Sequence, residues 1–274
     1  MAESPLFNGP IWLVGCGNMA GAMLRGWLDA GLDPAQVTVI RPSGVAPAPG
    51  VRTLTFLPED EVPALVLLGV KPQKLGDVAA SVARALDPAT ILVSILAGVE
   101  LATLRSRFPV PRNIVKAMPN TPVVLRKGVT DLFTDSPDPA HRAAIERLMG
   151  ALGHVEWFDD EARFAAASAL TAAAPAFLYR FLDALAAAGE SLGLPPEQAA
   201  RLAARMAEGA SALAASSGES PEQLARRVAS PGGTTEAGLA VLDSDHGLKP
   251  LLLDTLQASR RRGAEMAAAA RRSD

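Results

Sequence analysis

A glycine-bearing turn near the start of the chain limits the fold more than any other feature. Residues 15–20 read Gly-Cys-Gly-Asn-Met-Ala, a GxGxxA string. The apolar run Ile11-Trp12-Leu13-Val14 precedes it, and a stretch with helical spacing (Met19, Ala22, Met23, Trp27) follows and stops at Gly31. A strand, a glycine turn and a helix in that order form the opening of a βαβ unit built to hold a pyrophosphate. The first glycine permits the tight turn, the second lets the backbone approach phosphate, and a small third residue lets helix and strand pack closely. Gly15, Gly17, Asn18 and Met19 are therefore the first candidates for cofactor contact, at a helix end whose free N–H groups favour anions.

Further strand-like runs fall at 37–40, 64–70, 90–96, 113–117 and 154–158, with helical stretches at 73–86, 100–107 and 138–150. Such alternation predicts a mostly parallel sheet. Leu65-Val66-Leu67-Leu68 is apolar throughout, as a strand covered on both faces must be. After residue 160 no strand pattern remains, and Ala, Leu, Arg and Glu recur at helical spacing. The expected architecture is thus α/β followed by all-α: a Rossmann-like NADP-binding domain over 1–160 and a helical domain over 161–274. The 164–179 stretch is apolar on nearly every side, so it belongs in the centre of a domain or of a homodimer. It falls short of the ~20 apolar residues of a membrane span.

The second strand ends at Ile40 and runs into Arg41-Pro42-Ser43-Gly44, with no acid between Asp33 and Glu59. An Asp or Glu at this place would hold a ribose 2′-hydroxyl. Arg41 can instead pair with a 2′-phosphate, and Ser43 can donate a hydrogen bond to it. The expected cofactor is NADPH, with NADH a poorer donor.

Several function classes are disfavoured. A formal net charge of -3 and 4% aromatics offer little to nucleic acid. One cysteine and three dispersed histidines make no usual metal site, and no GxSxG elbow occurs. The lone Cys16 excludes an intrachain disulfide and fits a reducing, cytoplasmic setting. The first ten residues show no signal-peptide pattern.

Two segments remain whose chemistry is unusual for filler. Met118-Pro119-Asn120-Thr121-Pro122 lies at the C-terminal end of a predicted strand, where ligands collect in open sheets. Ser230-Pro231-Gly232-Gly233-Thr234-Thr235 is a loop running into a helix, and its N–H groups and hydroxyls suit a carboxylate.

With these pieces in view the chain resembles the pyrroline-5-carboxylate reductases over essentially its whole length. The matching strings are VGCGNMAGAM (14–23), GVKPQKL (69–75), SILAGVELATL (94–104), KAMPNTP (116–122), LTAAAPAFLY (170–179), LGLPPEQA (192–199) and VASPGGTTEAGL (228–239). The resemblance implies NADPH-dependent reduction of 1-pyrroline-5-carboxylate to L-proline by a homodimer, in some members a ring of dimers. It implies that Gly15, Gly17, Asn18 and Met19 line the pyrophosphate. Val70, Lys71 and Pro72 would border the ribose and nicotinamide, with Ala97, Gly98 and Asn120 near the nicotinamide. Ser230, Gly233, Thr234 and Thr235 would hold the substrate carboxylate and ring nitrogen, Thr235 being the partner of the nitrogen.

The chain departs from the family at Ala172-Ala173-Ala174-Pro175-Ala176-Phe177, where GSGPAY is usual, and at Lys116, where Arg is common. Alanine forms helix better than glycine, so a straighter helix is expected there. A reductase of a different cyclic imine and a non-catalytic NADPH-binding protein share most of these motifs. A hydroxyacid dehydrogenase is disfavoured, because the helical segment has Lys249 as its one lysine and no Asn.

Overall fold

The computed structural model describes residues 5–136 and 138–272. They divide into two compact units, one running to Ala173 and resuming at Ser259, the other spanning Ala174–Ala258.

The first unit is built on β1 (Ile11–Val14), α1 (Asn18–Asp29), β2 (Val37–Ile40), β3 (Arg52–Leu54), β4 (Leu65–Leu68), α2 (Leu75–Ala85), β5 (Ile91–Ser94) and α3 (Leu101–Arg107), followed by β6 (Asn113–Pro119), β7 (Gly128–Thr134), α4 (Pro139–Gly150), β8 (Gly153–Phe158) and α5 (Glu161–Thr171). The strands form one sheet in the order β3-β2-β1-β4-β5-β6-β7-β8. The first six are mutually parallel, and β7 turns antiparallel to β6 with β8 parallel to β7. Strand order reverses between β1 and β4, which opens the ligand crevice of a doubly wound sheet at their C-terminal ends.

Alternation along the strands divides the core in two. Leu13, Val39, Leu67 and Val93 face α1 and α4, where Trp27 and Met23 fill the layer. Val14, Val66, Leu68 and Ile114 face the other side, against Leu75, Phe108 and Phe164. The Trp27 indole donates to the Leu148 carbonyl at 2.8 Å and ties α1 to α4 across the buried layer.

Two strands have no counterpart in the sequence reading. β3 has three residues at the sheet edge, too few to show a period. β7 reads Gly-Val-Thr-Asp-Leu-Phe-Thr and buries Thr130 and Asp131, so its polar residues hide a strand covered on both faces. The end of strand pattern at 160 also differs from the packing boundary. The α5 helix stays with the sheet because Phe164 is buried against Phe133 and Phe158.

The second unit holds α6 (Ala174–Ser191), α7 (Pro196–Ser216), α8 (Pro221–Val228), α9 (Thr234–Leu242) and the first part of α10 (Leu248–Arg272). The straight helix expected around 172–177 is not what forms. The chain turns at Ala172-Ala173 before α6 begins, because Pro175 has no N–H to continue the ladder. Within the single chain the 164–179 stretch is covered only in part: Phe164 is buried while Leu170, Leu178 and Tyr179 are exposed, and α6 buries Ala186 alone among its residues. The second unit's own core is three alanines, Ala186, Ala199 and Ala203, with Leu182 packed against them. Residues Glu161–Ser191 do reach the length and mean hydropathy (1.2) of a membrane span, unlike the shorter stretch weighed from sequence. The turn at Ala172-Ala173 interrupts it.

Candidate active site

The glycine loop leaves the C-terminal end of β1 as its spacing predicts. Gly15 has φ +84°, and a Cβ there would stand 2.8 Å from the Val70 backbone nitrogen and 2.9 Å from the Gly69 carbonyl carbon. Gly69 in turn has Ala20 at 3.0 Å from where its own Cβ would be. The first glycine and the small third residue of the motif thus let β1, β4 and α1 close together. Gly17 differs: a Cβ on it would meet nothing within 4 Å. It caps α1 with no side-chain hydrogen bond, and Asn18, the first residue of the helix, is exposed. That is the cradle a pyrophosphate requires.

Arg41 and Ser43 follow β2, beside this cradle. The Arg41 backbone is fixed by its N–H to the Leu54 carbonyl at 2.9 Å, and Ser43 Oγ accepts from Val45 N at 3.4 Å. Burial pushes the Cys16 thiol up, while the nearby Arg41 and Arg25 guanidinium groups pull it down. The glycine loop therefore sits in the field of two arginines. Arg25 was not singled out in the sequence, because a charge on the exposed side of a helix carries no motif. A cavity of about 830 Å³ lined by Ile40, Thr55, Leu57, Glu59, Val78 and Ser81 flanks the end of β2.

The other cofactor candidates lie on the same edge of the sheet. Val70, Lys71 and Pro72 follow β4, with Lys71 exposed and Pro72 starting a 3-10 turn. Ala97 and Gly98 follow β5. Gly98 has φ +76°, and a Cβ on it would meet Met266 Cβ at 3.0 Å, near the chain's other end.

Asn120 follows β6 and is buried, 7% exposed. Its Nδ2 donates to the Thr171 carbonyl at 3.2 Å, and its Oδ1 accepts from Val129 N at 2.9 Å. Pro175 explains the first bond. The Thr171 carbonyl lies four residues before it and receives no helical donor from it, so the Asn120 amide supplies one. Both ends of the Asn120 amide are engaged by the protein itself.

Two polar pairs, each with one buried member, flank this turn, and neither was legible in the sequence. Lys116 is 9% exposed and pairs with Glu161 at 2.5 Å. The same carboxylate accepts from Leu101 N at 2.9 Å, at the start of α3, and the Lys116 ammonium lies 4.9 Å from the Phe164 ring centre. The second pair is Asp131 with Thr171, at 2.5 Å.

The segment 230–235 belongs to the second unit. Gly233 N donates to the Ser230 carbonyl at 2.9 Å, and Gly232, at φ +71°, occupies the corner after Pro231 that glycine alone takes easily. Gly233 caps α9 with no side-chain bond. Glu236 reaches back to accept from Gly232 N at 2.7 Å. Ser230, Thr234 and Thr235 are exposed, so three hydroxyls and an uncapped helix start stand together.

Known proteins are similar to this chain in sequence and fold. Residues 161–266 match the family model for pyrroline-5-carboxylate reductase dimerisation, and residues 10–98 match that for coenzyme F420-dependent NADP oxidoreductases. The pyrroline-5-carboxylate reductase of Pseudomonas aeruginosa is 36% identical over 94% of this chain and 96% of its own. The chain belongs to the pyrroline-5-carboxylate reductase family. The structure of the family member from Coxiella burnetii superposes with a TM-score of 0.86 at 31% identity, covering 94% of this chain and 98% of that one. The Plasmodium falciparum pyrroline carboxylate reductase, solved with NADP bound, shares the fold at 22% identity and a TM-score of 0.83, over 95% of this chain and 98% of its own. A Rossmann-like sheet followed by a helical dimerisation domain, as read from the sequence, is the architecture of this family.

Proposed function

We propose that the chain reduces 1-pyrroline-5-carboxylate to L-proline with NADPH, the last step of proline biosynthesis, with Thr235 holding the ring nitrogen. Ser230, Gly233 and Thr234 take the substrate carboxylate, which the uncapped start of α9 favours through its free N–H groups. That uncapped start, with the Thr234 and Thr235 hydroxyls beside it, is the observation that carries the reading.

On the cofactor side, Gly15, Gly17, Asn18 and Met19 receive the pyrophosphate, and Arg41 with Ser43 receives the 2′-phosphate. Val70, Lys71 and Pro72 border the ribose and nicotinamide, with Ala97, Gly98 and Asn120 next to the nicotinamide. NADPH, when bound, supplies the hydride. The protein's own share is placement and charge. A protonated imine nitrogen already makes its ring carbon electrophilic, so no strongly acidic side chain is required. The Thr235 hydroxyl fixes that nitrogen and so fixes which face of the ring carbon is presented.

The working unit is a homodimer, supported by the family's dimerisation domain and by the apolar side chains α6 and α7 leave exposed, among them Phe181, Leu202 and Met206. An exposed apolar surface of this kind marks an interface. A ring of dimers and a cytoplasmic setting complete the reading; light scattering on the purified protein counts the subunits.

The test is loss of nicotinamide absorbance with 1-pyrroline-5-carboxylate, comparing the native chain with Thr235→Ala. Loss of one hydrogen bond to a charged nitrogen predicts a fall of roughly 10–100-fold in kcat/KM, with NADPH affinity unchanged. Equal rates in the two proteins would remove Thr235 from the site.

A further inference from the structure

Among the described residues, Asp131 is the one carboxyl that the fold buries, at 1% exposure in the middle of β7. Its side chain shares a face with that of Phe133, toward α5. Opposite it on β6 stands Met118, the first residue of the Met118–Pro122 turn.

Its partner is Thr171, the last residue of α5. Thr171 Oγ1 lies 2.5 Å from Asp131 Oδ2 and 3.0 Å from the Ala167 carbonyl. A hydroxyl has one proton for these two acceptors. Thr171 Oγ1 is in reach of both acceptors; when it donates to the carbonyl four residues back, as helical threonines do, a protonated Asp131 supplies the proton of the 2.5 Å contact. An ionised Asp131 would take the Thr171 proton and leave Ala167 without it.

The surroundings shift the balance toward the neutral acid. Burial raises the Asp131 carboxyl above its ordinary range. The Thr171 hydrogen bond pulls it down, Glu156 on β8 pushes it up, and His154 pulls it down, in decreasing order of effect. Lys116 and Glu161, on the same face, are engaged with each other.

Thr171 is also the residue whose carbonyl receives the Asn120 amide. Asp131, Thr171 and Asn120 therefore form one chain of hydrogen bonds from mid-sheet to the turn at the end of β6. We propose that neutral Asp131 is a positioning residue: by donating to Thr171 it fixes the turn bearing Asn120, and so the wall against which the nicotinamide is held for hydride transfer. The proposal rests on the reading above that Asn120 borders the nicotinamide. It gives a buried acid a task outside the substrate-contacting set.

The experiment compares the full chain with Asp131→Asn, Asp131→Val and Thr171→Val. It measures kcat and KM for 1-pyrroline-5-carboxylate across pH, and NADPH affinity by nicotinamide fluorescence. Asparagine donates as the neutral acid does and cannot ionise. Asp131→Asn is expected to keep kcat within about twofold, and to lose the decline in kcat that the native chain shows as pH rises and Asp131 ionises. Asp131→Val and Thr171→Val are expected to lower kcat about tenfold while KM moves less, since a misplaced nicotinamide harms transfer more than substrate capture. A deep loss in Asp131→Asn would mean that the carboxylate is the working form, and native kcat in all three variants would mean that the chain of bonds positions nothing; either overturns the proposal. If the native chain fails to turn over the imine, it is the functional reading that falls. NADPH affinity then decides for Asp131: weakened by Val and restored by Asn supports it, and unchanged by both overturns it.

Discussion

Replacing Gly17 by alanine separates binding from folding, because the structure gives that methyl group room. Gly17 sits at φ −81°, ψ −163°, an extended conformation open to alanine, and no atom lies within 4 Å of the added carbon. The folding cost reduces to the poorer helix cap, about 1 kcal/mol, or a Tm shift of roughly 2–4 °C for a unit of this size. Binding has more to lose. On the proposed reading, the space the methyl takes is where a phosphate oxygen approaches the Asn18 and Met19 N–H groups. A hydrogen bond to a charged group is worth ~1.5–3 kcal/mol, so loss of one predicts an NADPH Kd raised roughly 10–100-fold. Gly15→Ala is the control with opposite character. Its φ of +84° and the 2.8 Å approach to the Val70 nitrogen predict ~1–2 kcal/mol of backbone strain and ~1–3 kcal/mol of overpacking, so stability fails first. Thermal unfolding and titration of nicotinamide fluorescence measure both quantities on both proteins. Native NADPH affinity in Gly17→Ala would refute the reasoning, since the open space would then belong to something other than the pyrophosphate.

Arg41→Ala should weaken NADPH about tenfold and leave NADH nearly untouched, if its guanidinium serves the 2′-phosphate; parallel titrations with the two cofactors decide. The Asp138 carboxylate caps α4 and is held below its ordinary range, chiefly by the hydrogen bond to His141. A depressed carboxylate stabilises the fold above its unfolded pKa, and that contribution is lost as pH falls through the folded value. Unfolding of the native chain and Asp138→Ala should therefore converge in acid and separate toward neutral pH. The raised Asp131 carboxyl has the opposite sign: its proton is held more tightly in the folded state, so stability declines from about pH 4 upward until the folded value is passed, and Asp131→Asn should flatten that slope.

The cofactor half of the proposed site is drawn from features that each have a local cause in the sequence. The GxGxxA spacing follows from a turn, a close approach and a tight helix, all within six residues. Arg41 declares itself by the absence of an acid at the end of β2. What escaped notice depends on partners distant in sequence. Lys116 finds Glu161 only because α5 starts within reach of β6, and Asp131 finds Thr171 only because β7 lies under the end of α5. In a linear reading the polar residues of β7 argue against a buried strand, although burial is what gives them their partners. The Ala172–Pro175 segment misled in the other direction. Three alanines favour helix, but one proline overrules them, and the carbonyl it leaves free defines the place of Asn120.

The chain leaves its first unit at Ala173 and returns to it at Ser259, to set Met266 against Gly98. On a ribosome this ordering has weight. At ~5–20 residues per second, the sheet waits roughly 4–17 s for the last piece of its own unit while residues 174–258 are made. A message broken anywhere in that interval yields a polypeptide with every strand and the whole glycine loop, yet without the segment that covers Gly98. Synthesis through α10 is thus a condition for completing the first unit.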